Sequence, residues 1–175
     1  MFADNNLRIF FALWPDQQLR DQIVDRLRPI DFDLTKSRLV TEANLHMTLH
    51  FIGNTTAPTL DCLDRQARQI QFKPFDMQLD SMGVFEKPRV LWLGCDNPPT
   101  PLIELQGKLG QRFTRCGFTP EARAFTPHVT VARKFANLTQ PVEISPICWR
   151  VEGFALVVSK SRPTGVHYEV LSHYS

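Results

Sequence analysis

His46-Met47-Thr48-Leu49 and His128-Val129-Thr130-Val131 are two copies of one pattern, in which a histidine and a threonine alternate with apolar residues. Successive side chains of a β-strand point to opposite faces of the sheet. The histidine and threonine of each copy therefore share one face, and the apolar residues share the other. The pattern predicts two strands, each burying one face and presenting an imidazole and a hydroxyl on the other.

Helical and extended patterns alternate along the rest of the chain. Apolar residues at helical spacing predict helices at about 16–28, 56–70 and 101–116, the last one ending at Gly117. Short apolar or alternating stretches predict strands near 7–13, 45–52, 75–80, 89–94, 126–134, 149–159 and 166–172. We expect the strand at 75–80 to pair with the strand at 89–94 across a turn at 86–88.

This order of elements favours an α+β fold with mostly antiparallel pairing and a weak internal two-fold repeat. We predict a single domain over residues 1–175. It consists of two intertwined lobes, each of which gives one motif strand, 46–49 or 128–131, to a shared site.

The composition is that of an ordinary globular protein. Hydrophobic residues make up 43% and charged residues 22% of the 175, and the formal net charge is +2. This charge is too small for a whole-molecule field that attracts nucleic acid, and no apolar run reaches the roughly 20 residues that cross a membrane. The first six residues lack the features of a signal peptide. We expect a cytoplasmic protein with no membrane partner.

The cysteines are Cys62, Cys95, Cys116 and Cys148, and they form no CxxC pair. The ligand spacing of a structural zinc site is therefore missing. Disulfides would require an oxidising compartment, for which the sequence gives no sign. We expect scattered thiols in partly buried positions.

Two histidines that face one cleft suit phosphoester chemistry without a metal. Because an ordinary histidine pKa lies near 6.5, one imidazole can be neutral and the other protonated, so that one accepts a proton from water and the other protonates the leaving oxygen. The threonine hydroxyls would donate hydrogen bonds to non-bridging phosphate oxygens. Two histidines without a neighbouring carboxylate or thiol are an incomplete metal-ligand set, and the sequence has no GxSxG motif of a serine hydrolase.

The stretch from Leu105 to Phe135, which contains the second motif, is basic. Its only acid is Glu121, against six bases: Lys108, Arg112, Arg115, Arg123, Arg133 and Lys134. The site is therefore expected to be locally basic, although solvated helix and loop residues explain such a bias equally well.

The paired motifs and their flanking stretches resemble the two-histidine (2H) phosphoesterase superfamily, and within it the bacterial RNA 2′,3′-cyclic phosphodiesterases, also called 2′-5′ RNA ligases. The resemblance covers nearly the whole chain. The flanking stretches are Phe10-Phe11-Ala12-Leu13, Asn44-Leu45, Phe51-Ile52-Gly53, Val90-Leu91-Trp92-Leu93-Gly94, Pro127, Ala132-Arg133 and a last strand with Tyr168. The resemblance implies a bilobal α+β fold, in which two mostly antiparallel sheets flank a central cleft and the helices lie outside.

The resemblance also implies hydrolysis of an RNA 2′,3′-cyclic phosphate to a 2′-phosphate, with no metal and no nucleotide cofactor. With an RNA 5′-hydroxyl replacing water, the same chemistry would join RNA ends through a reversible 2′-5′ linkage. His46 corresponds to the general acid and His128 to the group that activates water, while Thr48 and Thr130 would bind the phosphate. The implied partner is RNA with cyclic phosphate ends, with tRNA fragments as one candidate, and we expect a monomer.

Arg133 matches an arginine that follows the second motif in that family, and the resemblance assigns it to the phosphate. It lies five residues after His128, so simple alternation puts it on the opposite face unless a bulge or the strand end reorients it. The same alternation puts His50, where the family usually has a small or apolar residue, on the face of His46. Phe10 and Phe11 are expected in the core, and Tyr168 is open between base stacking and packing.

Two other functions fit the same motifs. One is a phosphodiesterase for small cyclic nucleotides, and the other is a module that binds RNA ends without catalysis. Product analysis on a cyclic-phosphate oligonucleotide would distinguish them.

Overall fold

The computed structural model describes residues 6–30, 37–135, 138 and 142–175. In chain order the elements are β1 (Leu7–Leu13), α1 (Gln17–Leu27), β2 (Arg38–Leu39), β3 (Met47–Thr55), α2 (Ala57–Ala67), β4 (Phe75–Leu79), β5 (Ser81–Phe85), β6 (Val90–Gly94), α3 (Thr100–Phe113), β7 (His128–Arg133), β8 (Ile147–Val151), β9 (Phe154–Arg162) and β10 (Gly165–Tyr174). No helix in these ranges is long and apolar enough to span a membrane.

An eight-stranded antiparallel sheet organises these elements. Its order is β10-β9-β1-β3-β7-β6-β5, with β2 beside β7, while β4 and β8 form a separate pair. The first half-sheet comprises β10, β9, β1 and β3, and the second comprises β7, β6, β5 and β2. Within the described residues, the two half-sheets are joined at one residue pair, Met47 with Val129. The expectation of an α+β fold with mostly antiparallel strands is confirmed.

The helices cover one face of the sheet and leave the other face open. Alternation along β1 shows the two sides. Phe11 is fully buried in the large core with helix residues such as Leu63 and Leu109, whereas Phe10 belongs to a small cluster with Ala12 and Val157. The expectation of core packing is therefore confirmed for Phe11, but Phe10 is buried on the opposite, helix-free face.

Each motif strand carries a β-bulge at the residue after its threonine. In β3 the extra residue is Leu49, and in β7 it is Val131. Thr48 and His50 pair with the consecutive residues Ala12 and Phe11 of β1, which leaves Leu49 without a partner there. In the same way, Thr130 and Ala132 pair with the consecutive residues Trp92 and Leu91 of β6. A bulge of one residue shifts the alternation of side chains, so residues beyond it face opposite to a regular strand.

The bulge in β3 overturns the expected position of His50. Its partner in β1 is Phe11, on the helix side, and its side chain is only 6% exposed. The His50 Nε2–H donates to the carbonyl of Gln106 in α3 at 2.7 Å. His50 is therefore a hydrogen-bonded core histidine and not part of the cleft.

Two strand expectations are also wrong. The stretch at 75–80 pairs not with 89–94 but with β8, where Met77 faces Trp149. The hairpin partner of β6 is β5. The polar turn at 86–88 does join two strands of a hairpin, but the strand before the turn is β5 and not the stretch at 75–80. The expected strand at 149–159 is two strands separated at Gly153, where a β-carbon would lie 2.4 Å from the Tyr174 carbonyl oxygen.

The expectation of separate thiols is wrong for two cysteines. Cys62 in α2 and Cys116, just after α3, form a disulfide with their Cα atoms 5.8 Å apart. The two helices are neighbours through the core, so the 54-residue separation along the chain says little about their distance in space. Cys95 and Cys148 are free.

Loss of this disulfide is expected to destabilise the fold. Cross-linking a loop of this length restricts the unfolded chain and typically contributes about 2–4 kcal/mol. The Cys62→Ser/Cys116→Ser variant should therefore unfold about 5–15 °C below the wild type in a thermal melt without reductant. Cys148→Ser, at an exposed free thiol, is the control and should leave the melting temperature unchanged. Equal melting temperatures for the double variant and the wild type would contradict the prediction.

Candidate active site

The joint between the half-sheets brings the two motifs together. Met47 and Val129 are fully buried on the helix side, so the residues before and after them point to the open face. Continuing the antiparallel register by one residue each way sets His46 opposite Thr130, and Thr48 opposite His128. All four side chains are half-buried. The structure thus brings both histidines and both threonines of the sequence prediction into one cleft.

The His46 ring is fixed by a hydrogen bond and by aromatic neighbours. Its Nδ1–H donates to the carbonyl of Asn44 at 2.7 Å, and because a carbonyl only accepts, this bond places the proton on Nδ1. Nε2 is left for chemistry and lies 3.1 Å from the Thr48 hydroxyl oxygen. The ring centroids of Phe10 and Tyr168 lie 4.8 and 5.1 Å away.

His128 is held in a parallel way in the second half-sheet. Its Nδ1–H donates to the carbonyl of Thr126 at 2.8 Å, which again leaves Nε2 for chemistry. The ring of Phe85 meets it edge-on at a centroid distance of 4.9 Å. In both motifs the accepting carbonyl therefore lies two residues before the histidine, and the same ring nitrogen is presented.

Burial lowers the pKa of His46 to about 4. The hydrogen bond to the Asn44 carbonyl favours the charged ring and acts in the opposite direction. The positive charges of Arg133 and His128 add to the lowering. In the free protein His46 is therefore neutral at pH 7.

Burial also lowers the pKa of His128, against the hydrogen bond to Thr126 that raises it. The nearby charges of Arg123 and Arg133 lower the pKa further. Both imidazoles therefore face a positive field that disfavours their own protonation. A bound anion would reverse this effect, because negative charge favours the imidazolium form.

The bulge in β7 resolves the position of Arg133. Thr130 pairs with Trp92, and beyond the bulge Arg133 pairs with Val90, two residues from Trp92 on the same strand. Paired residues share a face, as do residues two apart, so Arg133 lies on the face of Thr130 and His128. The bulge that this arginine required is present, and Arg133 is exposed there.

The basic stretch of the sequence divides between two sides of the molecule. Lys108 pairs with Glu104 along α3 at 2.9 Å, and Arg112 donates to Gln69 at 2.7 Å, so neither serves the cleft. Arg123 and Arg133 act electrostatically on His128. Two of the six bases thus carry the local charge of the site.

Metal-binding clusters are absent from the described residues, where no group of three or more His, Cys, Asp or Glu side chains is arranged to hold an ion. The functional groups of the cleft are imidazole, hydroxyl and guanidinium. These can move protons and bind the oxygens of an anion.

Sequence reasoning missed the aromatic shell around His46. Trp14 stacks on the imidazole at a centroid distance of 5.7 Å and an angle of 22°, and Tyr168, which the sequence left undecided, touches both His46 and Phe10. Trp14 follows the end of β1 and Tyr168 lies in β10, so only the strand order brings them to the motif. Asn44 and Thr126, in contrast, could have been found from their shared offset of two residues.

The chain is similar to known proteins over most of its length. The family model described as the 2′-5′ RNA ligase superfamily matches residues 15–163. The RNA 2′,3′-cyclic phosphodiesterase of Escherichia coli (strain K12) is 34% identical, over 79% of this chain and 77% of its own length. The protein of the same name from Methanothermobacter thermautotrophicus is also 34% identical, over 93% and 95% of the two chains.

Solved structures give the same result for the fold. The crystal structure of E. coli LigT complexed with 3′-AMP has a TM-score of 0.90 and 29% identity, covering 97% of this chain and 98% of that one. A crystal structure described as a phosphoesterase has the same TM-score at 30% identity. The resemblance and the bilobal α+β fold expected from the sequence are confirmed.

Proposed function

This chain belongs to the 2′-5′ RNA ligase superfamily of 2H phosphoesterases, and from this we propose that it is an RNA 2′,3′-cyclic phosphodiesterase. It opens the cyclic phosphate at an RNA end and leaves a 2′-phosphate. The observation that carries the proposal is the pair of imidazoles on one face, each with Nδ1 held by a backbone carbonyl so that Nε2 is left for chemistry. Thr48 lies beside the Nε2 of His46, and Arg133 lies on the same face.

The reaction needs one base and one acid. His128 Nε2 accepts a proton from water as the water oxygen forms a bond to phosphorus. The bond from phosphorus to the 3′-oxygen breaks, and His46 Nε2–H donates the proton that this oxygen takes. Thr48, Thr130 and Arg133 bind the non-bridging oxygens, where negative charge grows in the transition state. The same groups can carry out 2′-5′ ligation, in which the hydroxyl of a second RNA end replaces water as the nucleophile and the 3′-oxygen leaves as before.

The role of His46 as acid requires a proton that the free enzyme at pH 7 lacks. A bound cyclic phosphate raises the pKa of His46, because its negative charge offsets the charge of Arg133 and stabilises the imidazolium. The substrate itself thus brings the acid into its protonated form. Which ring is the acid and which is the base is assigned from the family resemblance. That the two rings act together is inferred from their position on one face of the sheet.

The test is turnover of an oligonucleotide with a 2′,3′-cyclic phosphate in the presence of EDTA, with identification of the product. We expect undiminished activity and a 2′-phosphate. Loss of activity on chelation, or a 3′-phosphate, would overturn the proposal. Turnover of 2′,3′-cyclic mononucleotides alone would favour a small-nucleotide phosphodiesterase, and binding without turnover would favour an end-binding module.

The pH dependence should show two titrations on the acid side of neutrality. For kcat/KM, which reports the free enzyme, both lowered histidine pKa values put the maximum of the bell between about 4 and 6.5. Activity falls as pH rises above this range, because the protonated acid disappears. The maximum of kcat should lie at higher pH, since bound phosphate raises both pKa values. A kcat/KM maximum above pH 7 would contradict the prediction.

We propose that the protein acts as a monomer of two lobes, because one chain supplies both histidines and no second copy is needed to complete the cleft. We propose that the protein meets its RNA substrate in the cytoplasm; the disulfide between Cys62 and Cys116 departs from what that compartment favours.

A further inference from the structure

Three arginines meet where β2, β6 and β7 come together, and we call Arg38, Arg89 and Arg133 the arginine surface. Arg38 of β2 and Arg133 of β7 are direct cross-strand partners. On its other side Arg133 pairs with Val90, the residue after Arg89. The backbone carbonyl of Arg89 accepts a hydrogen bond from the Phe135 N–H at 3.1 Å. Arg38 and Arg133 are therefore paired across two strands, and Arg89 directly precedes Val90, the partner of Arg133 in the third.

No carboxylate of the described residues forms an ion pair with this surface. All three arginines are exposed, and the ion pairs among the described residues lie elsewhere in the molecule. Like charges placed directly opposite each other destabilise an antiparallel pair. The arrangement of Arg38 and Arg133 is thus costly in the free protein and becomes favourable when an anion binds between them.

The backbone at the same place is unusual. Arg89 has φ 62° and Lys134 has φ 56°, and they are the two non-glycine residues with positive φ in the described part of the chain. Arg89 precedes Val90 and Lys134 follows Arg133, so in this antiparallel pair the two residues lie opposite each other, directly beyond the Val90–Arg133 pair. Side chains other than glycine rarely adopt this conformation, and such positions concentrate at functional sites.

The arginine surface is continuous with the cleft. The bulge in β7 puts Arg133 on the face of His128 and Thr130, and Arg38 shares that face because it pairs with Arg133. The charge of Arg133 acts on both catalytic imidazoles. Along β7, Arg133 therefore lies between the histidines and Arg38, and Arg89 adjoins Arg133 through its neighbour Val90.

We propose that the arginine surface binds backbone phosphates of the nucleotides next to the cyclic end, so that the preferred substrate is an RNA strand rather than a free cyclic nucleotide. This inference rests on the proposed function. A 2′,3′-cyclic mononucleotide has one phosphate, which the histidines and Arg133 engage. Only a strand has further phosphates for Arg38 and Arg89.

The test compares kcat/KM for 2′,3′-cyclic AMP and for RNA oligonucleotides of two, four and eight residues with a cyclic phosphate end, at 50 and 200 mM salt. Each phosphate contact to a single strand lowers affinity by about 2- to 3-fold over this range. For the wild type we expect kcat/KM to rise from the mononucleotide to the four-residue strand, and the salt dependence to rise with it.

Arg38→Gln and Arg89→Gln remove one charge each without placing an apolar side chain on the surface. We expect each variant to lower the ratio of oligonucleotide to mononucleotide kcat/KM by about fivefold, and to reduce the salt slope by about 0.7. Arg38→Lys should retain most of the ratio, since a phosphate contact depends mainly on charge. The matched control is Arg65→Gln on α2, which is exposed and on the helix side of the sheet.

Binding of an eight-residue RNA with a 3′-phosphate, followed by fluorescence anisotropy against salt, gives a second readout that needs no turnover. The proposed role of the arginine surface would be overturned if Arg38→Gln and Arg89→Gln both left the ratio of oligonucleotide to mononucleotide kcat/KM and the salt slope unchanged. It would also be overturned if the wild type showed no preference for strands over the mononucleotide. Wild-type turnover of 2′,3′-cyclic AMP with no strand advantage would leave the proposed function intact. Absence of turnover on every substrate would overturn the proposed function instead.

Discussion

His128→Ala is expected to lower kcat/KM on a cyclic-phosphate oligonucleotide by about 10²- to 10⁴-fold, the range for loss of a general acid or base. The loss corresponds to about 2.7–5.5 kcal/mol of transition-state stabilisation. The ring is half-buried at the edge of the sheet and contacts Phe85, so the alanine variant should fold. Steady-state kinetics with circular dichroism of the same preparation measures both properties.

His46→Ala should cause a loss of similar size, and the double variant should lose little more than either single one. Groups that act as a unit are strongly non-additive, because removing one already disables the step. His167→Ala is the matched control, since this histidine is exposed on β10. Full activity in either single variant, or an additive double variant, would refute acid–base catalysis by the pair.

Thr130→Val is expected to lower kcat by about 10²- to 10³-fold, the usual effect of removing one donor to transition-state charge. Valine has the shape and β-branching of threonine, so the strand should be retained and only the hydroxyl is lost. Because the charge that the hydroxyl meets grows during the reaction, kcat should change more than KM. Rapid single-turnover measurements would show whether the chemical step itself is slowed.

Thr119→Val, at an exposed position beyond α3, controls for the substitution. Thr48→Val tests the same role in the first half-sheet, where the hydroxyl also lies 3.1 Å from His46 Nε2. Its effect should therefore include a change in the pH profile, which Thr130→Val should not show. A change in KM alone for Thr130→Val would indicate ground-state binding and would contradict the role proposed here.

The sequence was sufficient for the motifs and for the class of fold. His46 and Thr48, like their counterparts in the second motif, lie on one face as alternation requires, because between histidine and threonine the strand is regular. The helices ended near their expected limits, and Gly117 takes the left-handed conformation expected of a helix end. These features depend on residues close together in the chain.

Features that depend on strand register could not be predicted from the alternation of side chains in the sequence. Alternation fails one residue beyond each threonine, where the bulges turn His50 into the core and Arg133 into the cleft. Nothing in the apolar character of Leu49 or Val131 marks either one as an extra residue. The resemblance suggested a place for Arg133, but the reason for that place is visible only in the pairing with β6.

Distant contacts escaped for a related reason. The pairing of β4 with β8 and the bond between Cys62 and Cys116 link parts of the chain that carry no complementary pattern. Trp14 and Tyr168 reach His46 because β1 lies between β9 and β3. Such neighbours follow from the order of strands, which composition and periodicity do not determine.

The single residue pair between the half-sheets has a mechanical consequence. Strands joined by a full ladder resist being splayed apart, because every rung must break together, whereas Met47 and Val129 form one rung. Each half-sheet is stiff, since its own strands are paired along their length. We therefore expect the spacing between the two imidazoles to change more readily on phosphate binding than the spacings within either half-sheet.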